Sequence, residues 1–330
     1  MMRHRSCMLK IGVCFFFVLT FFAVNSAYSQ GTKSEEFPSR PVTIIVPWPA
    51  GTSADLAFRL YAKVGEKYLG QPMVVVNKTG GGGTIALAAI ATAKPDGYTV
   101  GQSPGAGAQF ILPFLEKVPY HPVKDFRQIM QFCILNTGVV VKADSPFKSL
   151  KDLIDFARQN PKKLTYGTNA PNSIGNLIME QVAKKEGVQF THIPFKGATE
   201  YQTALLGGHV HFTAGDFKYT LVDSGEIRIL FYLGEKRSDD YPQVPILKEL
   251  GHDIPCPVFM GIMGPRGIPE EITKKLEKAF TDTMKEPEFL KGMKDLHVTV
   301  FYRNSRQFED YIANTYDKFE KLLREKGLLK

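Results

Sequence analysis

The chain has 330 residues, 44% of them hydrophobic and 22% charged, close to a globular average. That length admits one or two domains, and that balance excludes a disordered, collagen-like or multi-span membrane chain. The formal charge of +8 points to nucleic acid or an acidic surface only where the charge is clustered.

Residues 1–29 read as a signal peptide. Arg3, Arg5 and Lys10 form a basic start, and Ile11 to Val24 is an apolar run of 14 residues. That run is shorter than the roughly 20 residues a spanning helix needs. Ala27-Tyr28-Ser29 places small residues where a signal peptidase reads, so cleavage is predicted near Ser29. The leader removes three basic and no acidic residues, so the charge falls from +8 to +5. The remaining lysines are scattered in pairs such as Lys184-Lys185 and Lys274-Lys275. No basic patch is interleaved with aromatics, and nucleic acid is not predicted as a partner. Cys133 and Cys256 stay in the exported chain. They admit a disulfide or two buried thiols, and the sequence leaves both open.

Pro41 to Pro47 is a short apolar run, the pattern of a buried parallel strand. A Pro/Gly loop leads into a helix ending near Leu69, with Leu56, Leu60 and Val64 on one face and Gly70 and Pro72 as stops. Met73 to Val76 is the next strand. The Gly80–Gly83 run opens an Ala-rich helix that ends near Pro95, and Tyr98 to Gly101 begins a third strand. Gly138 to Lys142, Leu164 to Gly167, Phe190 to Pro194, His209 to Thr213 and Ile227 to Tyr232 read as further strands. Helices capped by Ser149 and opening at Ile174 lie between them. The Pro- and Gly-rich stretch from Asp253 to Pro269 reads as a connection between domains. The C-terminal region is helical, with an apolar stripe of Phe308, Tyr311, Ile312, Phe319, Leu322 and Leu323. Alternating strand and helix indicate an α/β fold with parallel-type sheets flanked by helices.

Gly81-x-Gly83-x-x-Ala86 matches a dinucleotide fingerprint, but no acidic residue closes a second strand about 20 positions on. It reads as a tight turn, and no cofactor is predicted. His209-x-His211 lacks a third ligand at metal spacing, so no metal is predicted either. No nucleophile motif is present, and no catalytic residue is assigned. Three small-residue loops follow strands. Gly51-Thr52-Ser53-Ala54-Asp55 has the T-x-x-D form of a capping box. Thr168, Asn169 and Ser173 lie ahead of the Ile174 helix. Ser103, Gly105 and Ala106 form the third. Free N–H groups at helix N-termini favour an anion, and open α/β sheets bind ligands at the C-terminal ends of their strands. None of these loops holds Lys or Arg.

At these motifs the chain resembles the solute receptors of the tripartite tricarboxylate transporter family, the TctC-like or Bug proteins. Phe37-Pro38-Ser39-Arg40-Pro41-Val42, Ile45-Val46-Pro47-Trp48-Pro49, Pro95-Asp96-Gly97-Tyr98-Thr99, His192-Ile193-Pro194-Phe195-Lys196-Gly197 and Gly264-Pro265-Arg266-Gly267-Ile268-Pro269 occur in the family's order. The resemblance implies a two-lobed, type II-like periplasmic binding protein with a ligand cleft between the lobes. Lobe 1 would take 37–132 and 258–330, and lobe 2 would take 133–257. Both cysteines would then lie near the hinge. The loops at Thr52 and at Thr168–Ser173 correspond to the family's two pincers. Ala50, Thr52 and Ala54 depart from its first loop, Ala170 and Asn172 replace glycines in its second, and Asn176 stands where His is usual. Asp216 carries over from the second lobe, and Trp48 replaces the commoner Phe. These departures widen the expected ligand from dicarboxylates and tricarboxylates to aromatic acids.

The expected function is capture of a small organic acid, as a monomer in the periplasm, for delivery to membrane transporter subunits. A sensory receptor for the same acid is the alternative, and an exported enzyme the third reading. Thr52, Ser53, Asn169 and Ser173 are the expected direct donors, with Asp55 orienting its loop.

Overall fold

A computed structural model describes residues 36–329 of the protein, so the predicted signal peptide lies outside the described residues. The first half runs β1 (Val42–Val46), α1 (Ser53–Leu69), β2 (Met73–Asn77), a turn of 3-10 helix, α2 (Thr84–Ala91) and β3 (Thr99–Ser103). A π-helical turn at Ala106–Ile111 passes into the short α3 (Leu112–Leu115) and then β4 (Phe126–Ile134). The chain crosses to β5 (Gly138–Lys142), α4 (Leu150–Gln159), β6 (Thr165–Thr168), α5 (Ile174–Glu186) and β7 (Thr191–Pro194). It continues through α6 (Ala198–Leu206), β8 (Phe212–Gly215), α7 (Tyr219–Asp223) and β9 (Ile227–Tyr232). It then returns for β10 (Phe259–Pro265), α8 (Glu270–Thr283), α9 (Pro287–Asp295), β11 (Thr299–Arg303) and α10 (Ser305–Glu325).

Two sheets result, ordered β11-β4-β10-β3-β1-β2 and β7-β6-β8-β5-β9. With β11 set aside, they repeat one plan. Three parallel strands lie beside a strand from the crossing segments, β10 or β5, which runs antiparallel to both neighbours. The sheets are therefore mixed rather than wholly parallel. The register shows where the chain crosses between them. Gly138 opens β5 opposite Gly215, the last residue of β8, and Phe259 opens β10 opposite Ile134, the last residue of β4. Both crossings thus leave from the edge where the parallel strands end. The C-terminal ends of β1 and β3, and those of β6 and β8, lie at the edges from which the chain crosses.

The helices form for local reasons. Thr52 caps α1 by accepting the Asp55 N–H, and Gly70 ends it in a left-handed conformation at φ 78°. The buried face of α1 is Ala57, Phe58, Tyr61 and Val64. Leu56, expected on that face, is 42% exposed. Tyr61 sits among Phe132, Phe280 and Phe289, so the aromatics set the helix rotation. On α10, Phe308, Ile312, Phe319 and Leu323 are fully buried as the stripe requires, and each contributes about 2 kcal/mol. They share one cluster with Phe110, Phe259 and Leu177, so α10 and α5 pack together.

Three strands escape the sequence pattern. β10 lies inside the stretch expected to be a connection, and every residue of it is buried. Gly261 belongs there because a Cβ would stand 2.4 Å from the Phe308 ring. β4 and β11 complete that side of the first sheet. β8 begins at Phe212, so His209 and His211 precede the strand instead of lying on it. Among the described residues no group of three His, Cys, Asp or Glu is placed to hold a metal. Cys133 and Cys256 are both buried free thiols rather than a disulfide, and among the described residues no helix is long and apolar enough to cross a membrane.

Candidate functional site

Two loops at the facing edges share one construction. In the first, Gly51 has φ 83° and its N–H donates to Asp55 Oδ2 at 2.8 Å, while the Asp55 N–H donates to Thr52 Oγ1 at 3.4 Å. In the second, Asn172 has φ 57° and its N–H donates to Asn176 Oδ1 at 3.1 Å, while the Asn176 N–H donates to Ser173 Oγ at 3.4 Å. Each residue at the third helical position reaches back one residue past the cap. Each loop therefore needs a left-handed residue, which glycine adopts freely and asparagine tolerates.

The loops differ in charge. Asp55 is 1% exposed and takes the Arg59 guanidinium at 3.0 Å and the Asn77 amide at 2.8 Å. Burial alone would raise its pKa, but Arg59, the Gly51 N–H and Asn77 outweigh that and hold the carboxyl below its ordinary range. Asn77, at the end of β2, also accepts from Arg59 at 3.0 Å and donates to the Trp48 carbonyl at 2.9 Å. Asp55 is thus engaged by three partners and orients its loop. Arg59 puts a cation one turn below a loop that has none in its own sequence. Asn176 is its neutral counterpart. It donates to the Tyr166 hydroxyl at 2.8 Å and to Glu180 at 3.0 Å, and only 2% of it is exposed.

Two expected direct donors are already used. The Thr52 hydroxyl donates to the Pro49 carbonyl at 2.9 Å, and the Ser173 hydroxyl donates to Thr168 at 2.9 Å. Thr168 is fully buried, donates to the Ala170 carbonyl at 3.0 Å and meets His192 Nε2 at 2.8 Å. Burial pulls the His192 pKa down, and because Thr168 spends its own proton on the Ala170 carbonyl, His192 Nε2 is the donor in their contact. Thr52, Thr168 and Ser173 build the loops. The Ser53 hydroxyl and the Asn169 amide are exposed and have no partner among the described residues. The first-turn N–H groups of Ser53, Ala54, Ile174 and Gly175 have no intrahelical acceptor.

The third loop is not an open cradle. The Ala106 N–H donates to the Pro257 carbonyl at 3.0 Å, and the Gly105 N–H donates to Gln109 Oε1 at 3.2 Å. The Ser103 hydroxyl donates to the same oxygen at 2.8 Å. Gly105 has φ 70°, and a Cβ there would stand 2.1 Å from the Pro257 carbonyl oxygen. Ser103, Gly105 and Ala106 therefore anchor the return crossing, and their donors are not available to a ligand. Asp216 follows β8. Its carboxyl is exposed yet densely surrounded by protein, and desolvation raises its pKa. Trp48 is half-buried at the end of β1.

Arg59, Asn77, Tyr166 and His192 were not assigned to the site from sequence. The i,i+4 spacing of Asp55 and Arg59 could have found one of them. The others become partners only once strand order is known.

The family model for the tripartite tricarboxylate transporter family receptor matches residues 57–328. The chain belongs to that family. A Cupriavidus necator protein from the gbd 5' region is 38% identical over 306 residues, covering 92% of this chain and 93% of its own. The crystal structure of a TctC solute-binding protein from Polaromonas superposes with a TM-score of 0.78 at 28% identity, covering 88% of this chain and 99% of that one. An R. palustris protein with adipate gives 0.72 at 27% identity, covering 88% and 99%. MatC from Rhodopseudomonas palustris with bound malate gives 0.69 at 25% identity, covering 87% and 100%. The fold is that of a periplasmic binding protein, two α/β sheets flanked by helices.

Proposed function

We propose that this receptor captures a small organic acid between the two matched loops, in the periplasm, and hands it to membrane transporter subunits. The observation that carries this reading is the pairing of the loops. Each spends its cap hydroxyl internally and leaves first-turn N–H groups at the facing edge, a neutral cradle for carboxylate oxygens. Ser53 and Asn169 add one side chain each, and Asp216 closes the second edge. The two sheets would be the lobes, 37–132 with 258–330 and 133–257, turning about the crossings. Neutral donors suit reversible capture and release, and no group here is poised for covalent chemistry.

Adipate and malate in the related structures support a dicarboxylate, and half-buried Trp48 offers a face to an aromatic acid. A thermal-shift screen with malate, adipate, citrate and benzoate tests the reading. A true ligand at a hundredfold excess over Kd adds about 2.7 kcal/mol of stability. A screen of unloaded, refolded protein with no shift from any carboxylate would contradict it.

A further inference from the structure

A cavity of about 810 Å³ lies away from both matched loops. Thr315, Lys318 and Lys321 of α10 form one wall, and Leu247, Lys248 and Ile254 face them. Its size is that of a small-ligand site, and its walls come from both halves of the fold and the return crossing.

Most charges around it are spent. Arg303 is held by Glu235 and Gln131, and Lys248 by Asp253 at 3.3 Å. Lys318 and Lys321 form no ion pair among the described residues, and Glu325 is the one carboxylate lining the cavity without one. Thr315 supplies a second, independent sign. The residue is 4% exposed, and its hydroxyl has no hydrogen-bond partner among the described residues while keeping some access to solvent. Thr92, Thr203, Thr273 and Thr283 each return theirs to the carbonyl one turn back. The Thr315 hydroxyl does not, and a group in the cavity its residue lines can reach it.

We propose that this cavity is a second ligand site, for a small organic anion whose carboxylate or phosphate group is held by Lys318, Lys321 and the Thr315 hydroxyl. Two ammonium groups one helical turn apart form charge-assisted bonds to anionic oxygens, and the Thr315 hydroxyl adds a third donor. Leu247 and Ile254 cover the apolar body.

Backbone-amide NMR of the chain from residue 30 onward, titrated separately with inorganic phosphate and malonate, tests this. Saturable shifts are expected at 311–325 and 247–255, and the tighter probe identifies the headgroup. Lys318→Gln with Lys321→Gln should weaken that binding at least about tenfold, through loss of two charge-assisted bonds. Thr315→Val should weaken it several-fold. Both lysines are exposed, so the double variant keeps its fold and decides the matter even if Thr315→Val does not. Shifts confined to the matched loops, no shift with either probe, or unchanged affinity in the double variant would each overturn the proposal.

Discussion

Replacing Asp55 by Asn removes one charge and leaves the shape of the first loop almost intact. The second loop already works this way, since Asn176 Oδ1 accepts the Asn172 N–H as Asp55 accepts the Gly51 N–H. What is lost is the Arg59 pairing at 3.0 Å and part of the Asn77 bond. A hydrogen bond to a charged group contributes about 1.5–3 kcal/mol. Arg59 is 48% exposed and regains water, which discounts its share. The net cost should be about 2 kcal/mol at neutral pH. The pH dependence gives the sign. The Asp55 carboxyl is depressed below 3.8, so its stabilisation is present above that value and is lost as pH falls through the folded-state pKa. Urea unfolding of wild type and Asp55→Asn should show a stability gap of about 2 kcal/mol at pH 7 that narrows as pH falls below 3.8. A gap that stays constant with pH, or no gap at pH 7, would refute the idea that the charge holds this loop.

Other substitutions separate loop-building from ligand-holding. Asn169→Ala should weaken carboxylate binding about tenfold, from one lost hydrogen bond, and leave stability unchanged. Thr52→Val should instead cost about 1 kcal/mol of stability through the lost cap, with little direct effect on binding. Calorimetric titration beside denaturation distinguishes the two. Gly105→Ala meets the Pro257 carbonyl at 2.1 Å with φ at 70°, and should destabilise by about 3 kcal/mol or more in urea unfolding. Burial pushes the Cys256 thiol up to about 12 and the Cys133 thiol higher still. A thiol count on the chain from residue 30 onward should find two free thiols after denaturation without reductant, and almost none reacting in the native state.

Much of this site was legible before the fold. Thr52 and Ser173 are readable as caps because a hydroxyl three residues before a polar side chain is a local signal. Their fates were not legible. The acceptor of the Ser173 hydroxyl is Thr168, across a turn, and that of the Gly105 N–H is a glutamine on the following turn. The third loop looked like the other two because small residues serve an anion cradle and a tight backbone contact equally well. Only the return of the chain at Pro257 decides between them. β10 was hidden for a related reason. Gly261 admits the Phe308 ring, Gly264 admits the Ile268 side chain and the final proline ends the strand, and both residue types read as loop when the partners are unseen. Leu56 turned outward because three aromatics elsewhere in the chain claim the other face of α1.

The central claim is that neutral donors of two matched loops hold the ligand's carboxylate oxygens. A crystal structure of the protein with a bound dicarboxylate tests it most directly. The account predicts carboxylate oxygens within hydrogen-bond reach of the Ser53 or Ala54 N–H on one side and the Ile174 or Gly175 N–H on the other, directly or through one water. Loops left empty in a crystal that holds the dicarboxylate, or a carboxylate at the loops seated on a lysine or arginine side chain instead of these N–H groups, would contradict it.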